Sequence, residues 1–112
     1  MRRAILVAVA MTSLWSGEVT ANGNELLEAC EFFGPRIPTN PSEAKKSGYC
    51  HGFIMGVHDV LANKGVFCMP DGVTQGQMAD VVKLYLRNHP ERRHLYADEL
   101  VAAALKEKFP CN

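Results

Sequence analysis

The sequence predicts a small all-α protein built from about four helices. Apolar residues recur at spacings of three and four through residues 22–112, which is the period of an amphipathic helix. No segment alternates between apolar and polar residues for long enough to form a strand. Prolines and glycines divide the chain into helix-length segments. The length of 112 residues suits one small domain.

The first 21 residues predict a cleavable secretory signal peptide. Arg2 and Arg3 precede an apolar run over residues 4–11, and Val-Thr-Ala at 19–21 fits a signal peptidase site. This apolar core is too short for a membrane-spanning helix, which needs about 20 residues. We therefore expect residues 1–21 to be removed and residues 22–112 to form a single exported domain without a membrane span. A retained N-terminal anchor is the alternative.

The charge balance argues against a dedicated nucleic-acid-binding or anionic-membrane-binding protein. Twelve basic residues match twelve acidic ones, and the sequence pI is near 6.9. Removal of residues 1–21 leaves ten basic and eleven acidic residues, and therefore a net charge of −1. A domain this small buries only about 60–65% of its unfolded surface, so disulfides or a second subunit would help to stabilise it.

The first helix is expected to begin at a cap formed by Asn22 or Asn24 and to end at Gly34-Pro35. Its apolar residues are Leu26, Leu27, Cys30 and Phe33.

The second helix is expected to begin at a Ser42 cap and to run towards Lys64, before a left-handed stop at Gly65. Its apolar positions form one stripe, as on the face that an amphipathic helix buries. These positions are Tyr49, Phe53, Val57, Val60 and Leu61.

The third helix has the strongest start signal in the chain. Thr74 and Gln77 predict a capping box, and Val73 and Met78 fit a hydrophobic staple. The helix is expected to end before Pro90. Its inward-facing residues are Met78, Val81, Val82 and Tyr85. A fourth helix is predicted from Leu95 or Ala97 to Lys108, with Leu100, Val101, Ala104 and Leu105 facing inward.

The four cysteines, Cys30, Cys50, Cys68 and Cys111, allow three pairings. A continuous second helix separates Cys50 from Lys64 by about 21 Å. The four residues that follow reach only about 14 Å, which argues against a Cys50–Cys68 bridge. Of the other two pairings we favour Cys30–Cys50 with Cys68–Cys111, because an antiparallel hairpin of the last two helices brings Cys68 and Cys111 together. Reactive or metal-binding thiols are the alternative.

Glycines recur every four residues on the second helix, at Gly48, Gly52 and Gly56. Each costs about 1 kcal/mol relative to alanine in a helix interior, so the row needs a packing reason. We consider two: a tight crossing with another helix of the same chain, or a subunit interface.

Candidate chemistry is sparse. One face of the second helix carries His51, Met55 and His58, which resemble a copper or zinc ligand set. No metal-binding motif accompanies them. We therefore prefer to interpret the two histidines as ordinary helix residues. A His58–Asp59 dyad is disfavoured because adjacent helix residues do not face each other. No nucleophile elbow or phosphate-binding loop is present. We therefore expect neither enzymatic activity nor a cofactor.

A basic cluster surrounds the connection between the last two helices. A solvated surface is one explanation, and an acidic partner surface is the other. The cluster contains Lys83, Arg87, Arg92, Arg93 and His94, with His89 among them.

Residues 48–111 resemble the Tai/Rap immunity-protein family of Gram-negative bacteria. The matching segments are 48–56 (GYCHGFIMG), 68–74 (CMPDGVT) with Gln77, 85–86 (YL), 89–91 (HPE), 100–101 (LV) and 109–111 (FPC). The Cys-Met-Pro-Asp-Gly-Val-Thr block, followed by the terminal Phe-Pro-Cys, is the most specific part of this match.

The resemblance implies a periplasmic helical protein, often a homodimer, that blocks a peptidoglycan amidase effector delivered by type VI secretion. Such a protein covers the amidase cleft and needs no catalytic residue. We take Arg87, His89, Arg92, Arg93 and His94 as candidate partner-binding residues, and residues 65–72 as a second candidate segment. The glycine row is the candidate helix-packing or dimer face.

Two further hypotheses remain beside this one. The protein is alternatively a small periplasmic acid-stress chaperone, whose histidines and carboxylates change charge between about pH 7 and pH 3. It is otherwise an exported family member without a cognate toxin.

Overall fold

The computed structural model describes residues 21–34 and 36–112, so the signal peptide predicted over residues 1–21 lies outside the described part except for Ala21. Four α-helices are present, and the described residues contain no strand beyond one isolated bridge between Asn22 and Tyr96. The helices are α1 (Gly23–Cys30), α2 (Pro41–Leu61), α3 (Gln75–Asn88) and α4 (Ala97–Lys108), with 3₁₀ turns at Ala62–Lys64 and Pro90–Arg92. The predicted all-α class with four helices is confirmed.

Helix α1 begins at the first of its two predicted caps. The Asn22 side chain accepts a hydrogen bond from the Glu25 N–H at 3.0 Å, and the Asn22 N–H donates to the Glu25 carboxylate at 3.4 Å. This reciprocal pair satisfies two backbone donors at the helix start.

Helix α2 begins two residues earlier than predicted. Asn40, not Ser42, is the N-cap, and its side chain accepts from the Glu43 N–H at 3.0 Å. Pro41 occupies the first turn, where the missing N–H costs nothing and the fixed φ suits a helix. The predicted stop is confirmed, because Gly65 has φ 69° after the 3₁₀ turn.

The buried side of α2 differs from the predicted stripe. Only Cys50 and Ile54 are buried, whereas Tyr49 and Val60 are exposed. The predicted stripe is therefore covered only in part: Phe53, Val57 and Leu61 are half-buried and pack against the core, while the other two residues remain exposed. Apolar spacing alone did not reveal which of two adjacent faces the bundle covers.

Helices α3 and α4 follow the predicted pattern closely. The Thr74 hydroxyl accepts from the Gln77 N–H at 3.0 Å, and α3 ends two residues before Pro90. Helix α4 buries all four of its predicted inward residues. The core therefore lies where α1, α3 and α4 converge with the Cys50–Ile54 side of α2.

Both favoured disulfides are present: Cys30–Cys50 and Cys68–Cys111, each with a Cα–Cα distance of 4.9 Å. The first joins the end of α1 to the middle of α2 and is fully buried. The second joins the segment before α3 to the C-terminus, where the Cys68 N–H also donates to the Phe109 carbonyl at 2.8 Å. The preferred pairing is confirmed.

The start of α1 is fastened to the start of α4 by backbone hydrogen bonds. The Gly23 N–H donates to the Leu95 carbonyl and the Ala97 N–H donates to the Ala21 carbonyl. The contact is close, because a Cβ atom at Gly23 would lie 3.0 Å or less from Leu100 and Arg93 atoms. Within the described part of the chain, no helix combines the length and the apolar character needed to cross a bilayer.

Candidate functional site

Three members of the predicted basic cluster form contacts within the protein. Arg87 donates to both carboxylate oxygens of Glu31, at 2.7 and 2.8 Å. His89 pairs with Glu91 at 3.0 Å, and its ring centroid lies 4.3 Å from that of Tyr85. Arg92 donates to the Tyr85 hydroxyl. These contacts therefore stabilise the C-terminal end of α3.

The other two members of the cluster differ from each other. Arg93 is half-buried, its carbonyl accepts from the Asn24 N–H at 3.1 Å, and its buried Nε has no hydrogen-bond partner among the described residues. His94 is exposed. The five residues thus lie near one another in space, but they do not present five unpaired charges to a partner.

The two helix histidines pack against aromatic rings. His51 contacts the Gln75 side chain and stacks on Phe33 with a centroid distance of 5.3 Å. His58 stacks on Phe67 at 5.6 Å. Among the described residues, no group of three or more His, Cys, Asp and Glu side chains is arranged to hold a metal ion.

The contact between His58 and Asp59 corrects one sequence argument. We expected adjacent helix residues to face apart, yet His58 Nδ1 lies 3.0 Å from Asp59 Oδ1. Asp59 is exposed and His58 lies near the end of α2, where the two side chains lean towards each other. The pair is a surface contact, because the Asp59 side chain is 74% exposed.

The glycine row of α2 lies on the surface. No described atom would come within 4 Å of a Cβ at Gly48, Gly52 or Gly56, apart from their own helix. The crossing with another helix of this chain is therefore not present among the described residues. The subunit-interface interpretation stays a prediction.

The exposed side of α2 is apolar beyond the glycines. We name it the α2 face and define it by Tyr49, Gly52, Phe53, Gly56 and Val60. Their spacings of three and four place them along one side of the helix. The Val60 side chain is 61% exposed, and the Tyr49 and Phe53 rings lie 5.7 Å apart. Of these residues, Tyr49 and Val60 were predicted to lie on the buried stripe of α2 and are exposed instead.

Two shallow grooves meet on the α2 face. One, of about 570 Å³, lies between α2 and α4, and Asp98, Glu99 and Ala102 line its α4 side. The two carboxylates also lie in the first turn of α4, where negative charge is favourable. The other groove, of about 740 Å³, lies between α1 and α2 and shares Phe53 with the first.

The second groove carries lysines. Lys46 pairs with Glu28 at 2.9 Å, whereas Lys45 is exposed and has no ion-pair partner among the described residues. Partial burial raises the pKa of the Tyr49 hydroxyl above its ordinary value, and the nearby Glu25 carboxylate adds to this effect. The α2 face is therefore an apolar strip with a groove of mixed lysine and glutamate side chains at one end and an acidic edge beside it.

Comparison with known proteins identifies the family. The family model described as Rap1a immunity proteins matches residues 22–111, which include all four helices and both disulfides. No curated protein matches the chain. The matched region is most of the sequence, so the chain belongs to the Rap1a immunity protein family.

Proposed function

We propose that the protein is a periplasmic immunity protein that neutralises a peptidoglycan amidase effector of type VI secretion by covering its active site. Membership of the immunity family supports a toxin as the partner. Two disulfides and the signal-like segment over residues 1–21 support an oxidising compartment outside the cytoplasm. The protein acts by binding, without catalysis of its own.

The α2 face carries the structural part of this proposal. A folded chain of this size rarely leaves a continuous apolar strip exposed unless the strip binds something. Helix glycines allow a second backbone to approach closely, and neighbouring aromatic and aliphatic side chains supply area to bury. We assign this face to a homodimer of the immunity protein.

The charges beside the α2 face favour an antiparallel pairing of two copies. A two-fold axis makes the same surface serve both protomers. An axis between the two grooves would bring Lys45 of one protomer towards Asp98 and Glu99 of its partner. Such complementary charges at the rim would determine the orientation of the two protomers and contribute less to the affinity between them.

The dimer is tested by substitution of Val60, whose exposure means that the monomer does not need its side chain. V60D places a charge within an apolar interface, so we expect sedimentation equilibrium to show a monomer where the unaltered protein shows a dimer. L84D is the matched control, because Leu84 is a half-exposed apolar residue on α3. If the unaltered protein is a monomer at micromolar concentration, the proposed dimer is wrong.

Inhibition of the effector is tested by a search of the neighbouring genes for a peptidoglycan amidase and by an assay of that enzyme. Purified immunity protein should form a stable complex with it and abolish its cleavage of peptidoglycan. The absence of such a neighbouring amidase, or full activity of the amidase in the presence of the protein, contradicts the proposed function. Suppression of client aggregation at acidic pH, without binding to the amidase, would favour the chaperone hypothesis instead.

A further inference from the structure

The peptide bond between Ala21 and Asn22 is hydrogen-bonded at both of its polar atoms. Its carbonyl oxygen, on Ala21, accepts from the Ala97 N–H at 2.9 Å. Its nitrogen, on Asn22, donates to Glu25 Oε2 at 3.4 Å. Asn22 also forms the antiparallel bridge with Tyr96. The sequence predicts that this same bond is the one cleaved at the end of the signal peptide.

The residues that follow this bond are also held by the start of α4. The Gly23 N–H donates to the Leu95 carbonyl and the Asn24 N–H donates to the Arg93 carbonyl, each at 3.1 Å. Gly23 is buried, and the Leu100 side chain beside it is fully buried. Backbone contacts therefore lie on both sides of the bond between residues 21 and 22.

A peptidase has poor access to a bond that is held in this way. Its nucleophile attacks the carbonyl carbon, and the donors of its oxyanion hole must bind the carbonyl oxygen. In the folded protein, the Ala97 N–H already binds that oxygen of Ala21. Recognition of an extended segment also uses main-chain hydrogen bonds, and the N–H groups of residues 23 and 24 are paired within the fold. Cleavage therefore requires the start of α1 to separate from α4.

We propose that the Ala21–Asn22 bond is a processing site that the folded domain closes, so that a signal peptidase cleaves it only before α1 packs against α4. The water oxygen joins the Ala21 carbonyl carbon to give a carboxylate, and the two water hydrogens join the Asn22 nitrogen to give an ammonium group. A chain that folds first keeps residues 1–21, which is the retained form that the sequence leaves as the alternative. This inference rests on the export in the proposed function and does not depend on the amidase.

The ammonium group that cleavage leaves on Asn22 has a partner already in place. The same nitrogen lies 3.4 Å from a carboxylate oxygen of Glu25, which is close enough for an ion pair. A positive charge at a helix N-terminus is otherwise unfavourable, because that end of the helix dipole is also positive. The hydrogen bonds of residues 23 and 24 do not involve Ala21, so they remain after cleavage. Cleavage thus exchanges the hydrogen bond of the Ala21 carbonyl for an ion pair at Asn22.

The first experiment measures cleavage of the full chain by a purified signal peptidase. The chain is supplied either folded with both disulfides formed, or reduced and unfolded, and N-terminal sequencing of the product identifies the cleaved bond. We expect the unfolded chain to be cleaved between Ala21 and Asn22. Cleavage of the folded chain should be slower by about tenfold or more, because it must await local opening of the contact between α1 and α4.

G23A tests whether this contact is what protects the bond. An added Cβ at Gly23 would lie too close to Leu100 and Arg93, so we expect the contact to loosen and the folded variant to be cleaved faster than the folded unaltered chain. Equal rates for the two unfolded chains would exclude a direct effect of the substitution on the peptidase. G48A is the matched control and should stay protected, because a Cβ at Gly48 meets nothing within 4 Å.

The ion pair is tested by urea denaturation of E25Q in the cleaved chain and in the folded full chain. Glutamine can still complete the capping box but carries no charge. We expect E25Q to lower the urea midpoint of the cleaved chain more than that of the full chain. E28Q is the matched control on α1. Glu28 pairs with Lys46 at 2.9 Å, away from the cleaved bond, so its loss should affect both chains equally.

The outcomes separate this inference from the proposed function. If the folded and unfolded chains are cleaved equally fast, or if folded G23A is protected as well as G48A, the fold does not close the site, while inhibition of the amidase can still be observed. If E25Q lowers both midpoints equally, the ion pair at Asn22 is wrong. If the peptidase does not cleave the unfolded chain between Ala21 and Asn22, the processing site and the predicted signal peptide are both wrong. Failure to inhibit an amidase, by contrast, contradicts the proposed function and leaves the processing site standing.

Discussion

Gly23 and Arg93 approach so closely that a Cβ atom at position 23 would lie 2.9 Å from the Arg93 carbonyl oxygen. The same atom would lie 2.5 Å from a methyl group of Leu100, which is fully buried. Backbone hydrogen bonds from Gly23 and Asn24 hold this contact, so the two segments cannot separate without losing them. The glycine therefore permits the junction between α1 and α4.

We predict that G23A destabilises the protein by about 1–3 kcal/mol, the usual cost of overpacking a close contact. Urea denaturation followed by circular dichroism measures the change. G48A is the matched control, because an added Cβ at Gly48 meets nothing within 4 Å. Alanine there should stabilise α2 by up to about 1 kcal/mol. Equal effects of the two substitutions would contradict the account of the Gly23 contact.

The two disulfides should differ in their accessibility to thiols. Cys30 and Cys50 are 0% exposed, whereas Cys68 and Cys111 are both exposed. An attacking thiolate must reach a sulfur atom, so a low concentration of dithiothreitol should open Cys68–Cys111 first in the native protein. Alkylation followed by peptide mass spectrometry identifies the reduced pair. Alkylation of Cys30 and Cys50 at the earliest times would contradict this order.

Glu43 should contribute to stability in a pH-dependent way. The backbone N–H of Thr39, and after it the Thr39 hydroxyl, lower the pKa of the Glu43 carboxyl below its ordinary value of 4.5. A lowered pKa in the folded state means that the stabilisation is fully present above the unfolded pKa and is lost as the pH falls through the folded one. We predict an NMR titration midpoint for Glu43 below 4.5.

Two variants test the cause of that shift. T39V removes the hydroxyl donor, so the Glu43 midpoint should rise towards its ordinary value. E43Q should remove part of the stability loss seen on acidification below about pH 4.5, because glutamine carries no titrating group. An unchanged midpoint in T39V would show that the Thr39 hydroxyl does not contribute.

Local signals in the sequence predicted the helices and their ends well. The Thr74 cap, the Gly65 stop and the end of α3 before Pro90 depend on residues within one turn of the boundary, so the sequence carries them directly. The α2 cap was missed because both Asn40 and Ser42 suit an N-cap. Pro41 decides between them, since proline is favoured in the first turn.

The candidate site could not be predicted in the same way. The α2 face is apolar, and only the packing of the other helices shows that it remains uncovered. Arg87 was interpreted as a charge for a partner because its contact with Glu31 joins residues 56 positions apart. Contacts between distant residues decided each of these cases.

The glycines of the α2 face should have opposite effects on the monomer and on the dimer. In the monomer, alanine at Gly52 and Gly56 meets open space, so a G52A/G56A variant should gain up to about 1 kcal/mol of helix stability per site. In the dimer proposed above, the added methyl groups would hold the two α2 helices apart and reduce the contact between them.

Thermal unfolding at low protein concentration and sedimentation equilibrium measure the two effects separately. We expect a higher midpoint of the monomer together with a weaker association of the dimer. G48A and G76A are the controls: Gly48 lies at the outer end of the same row, and Gly76 lies on α3. If G52A/G56A gains stability and associates as tightly as the unaltered protein, the α2 helices do not meet at their glycines. The dimer would then have to use another surface.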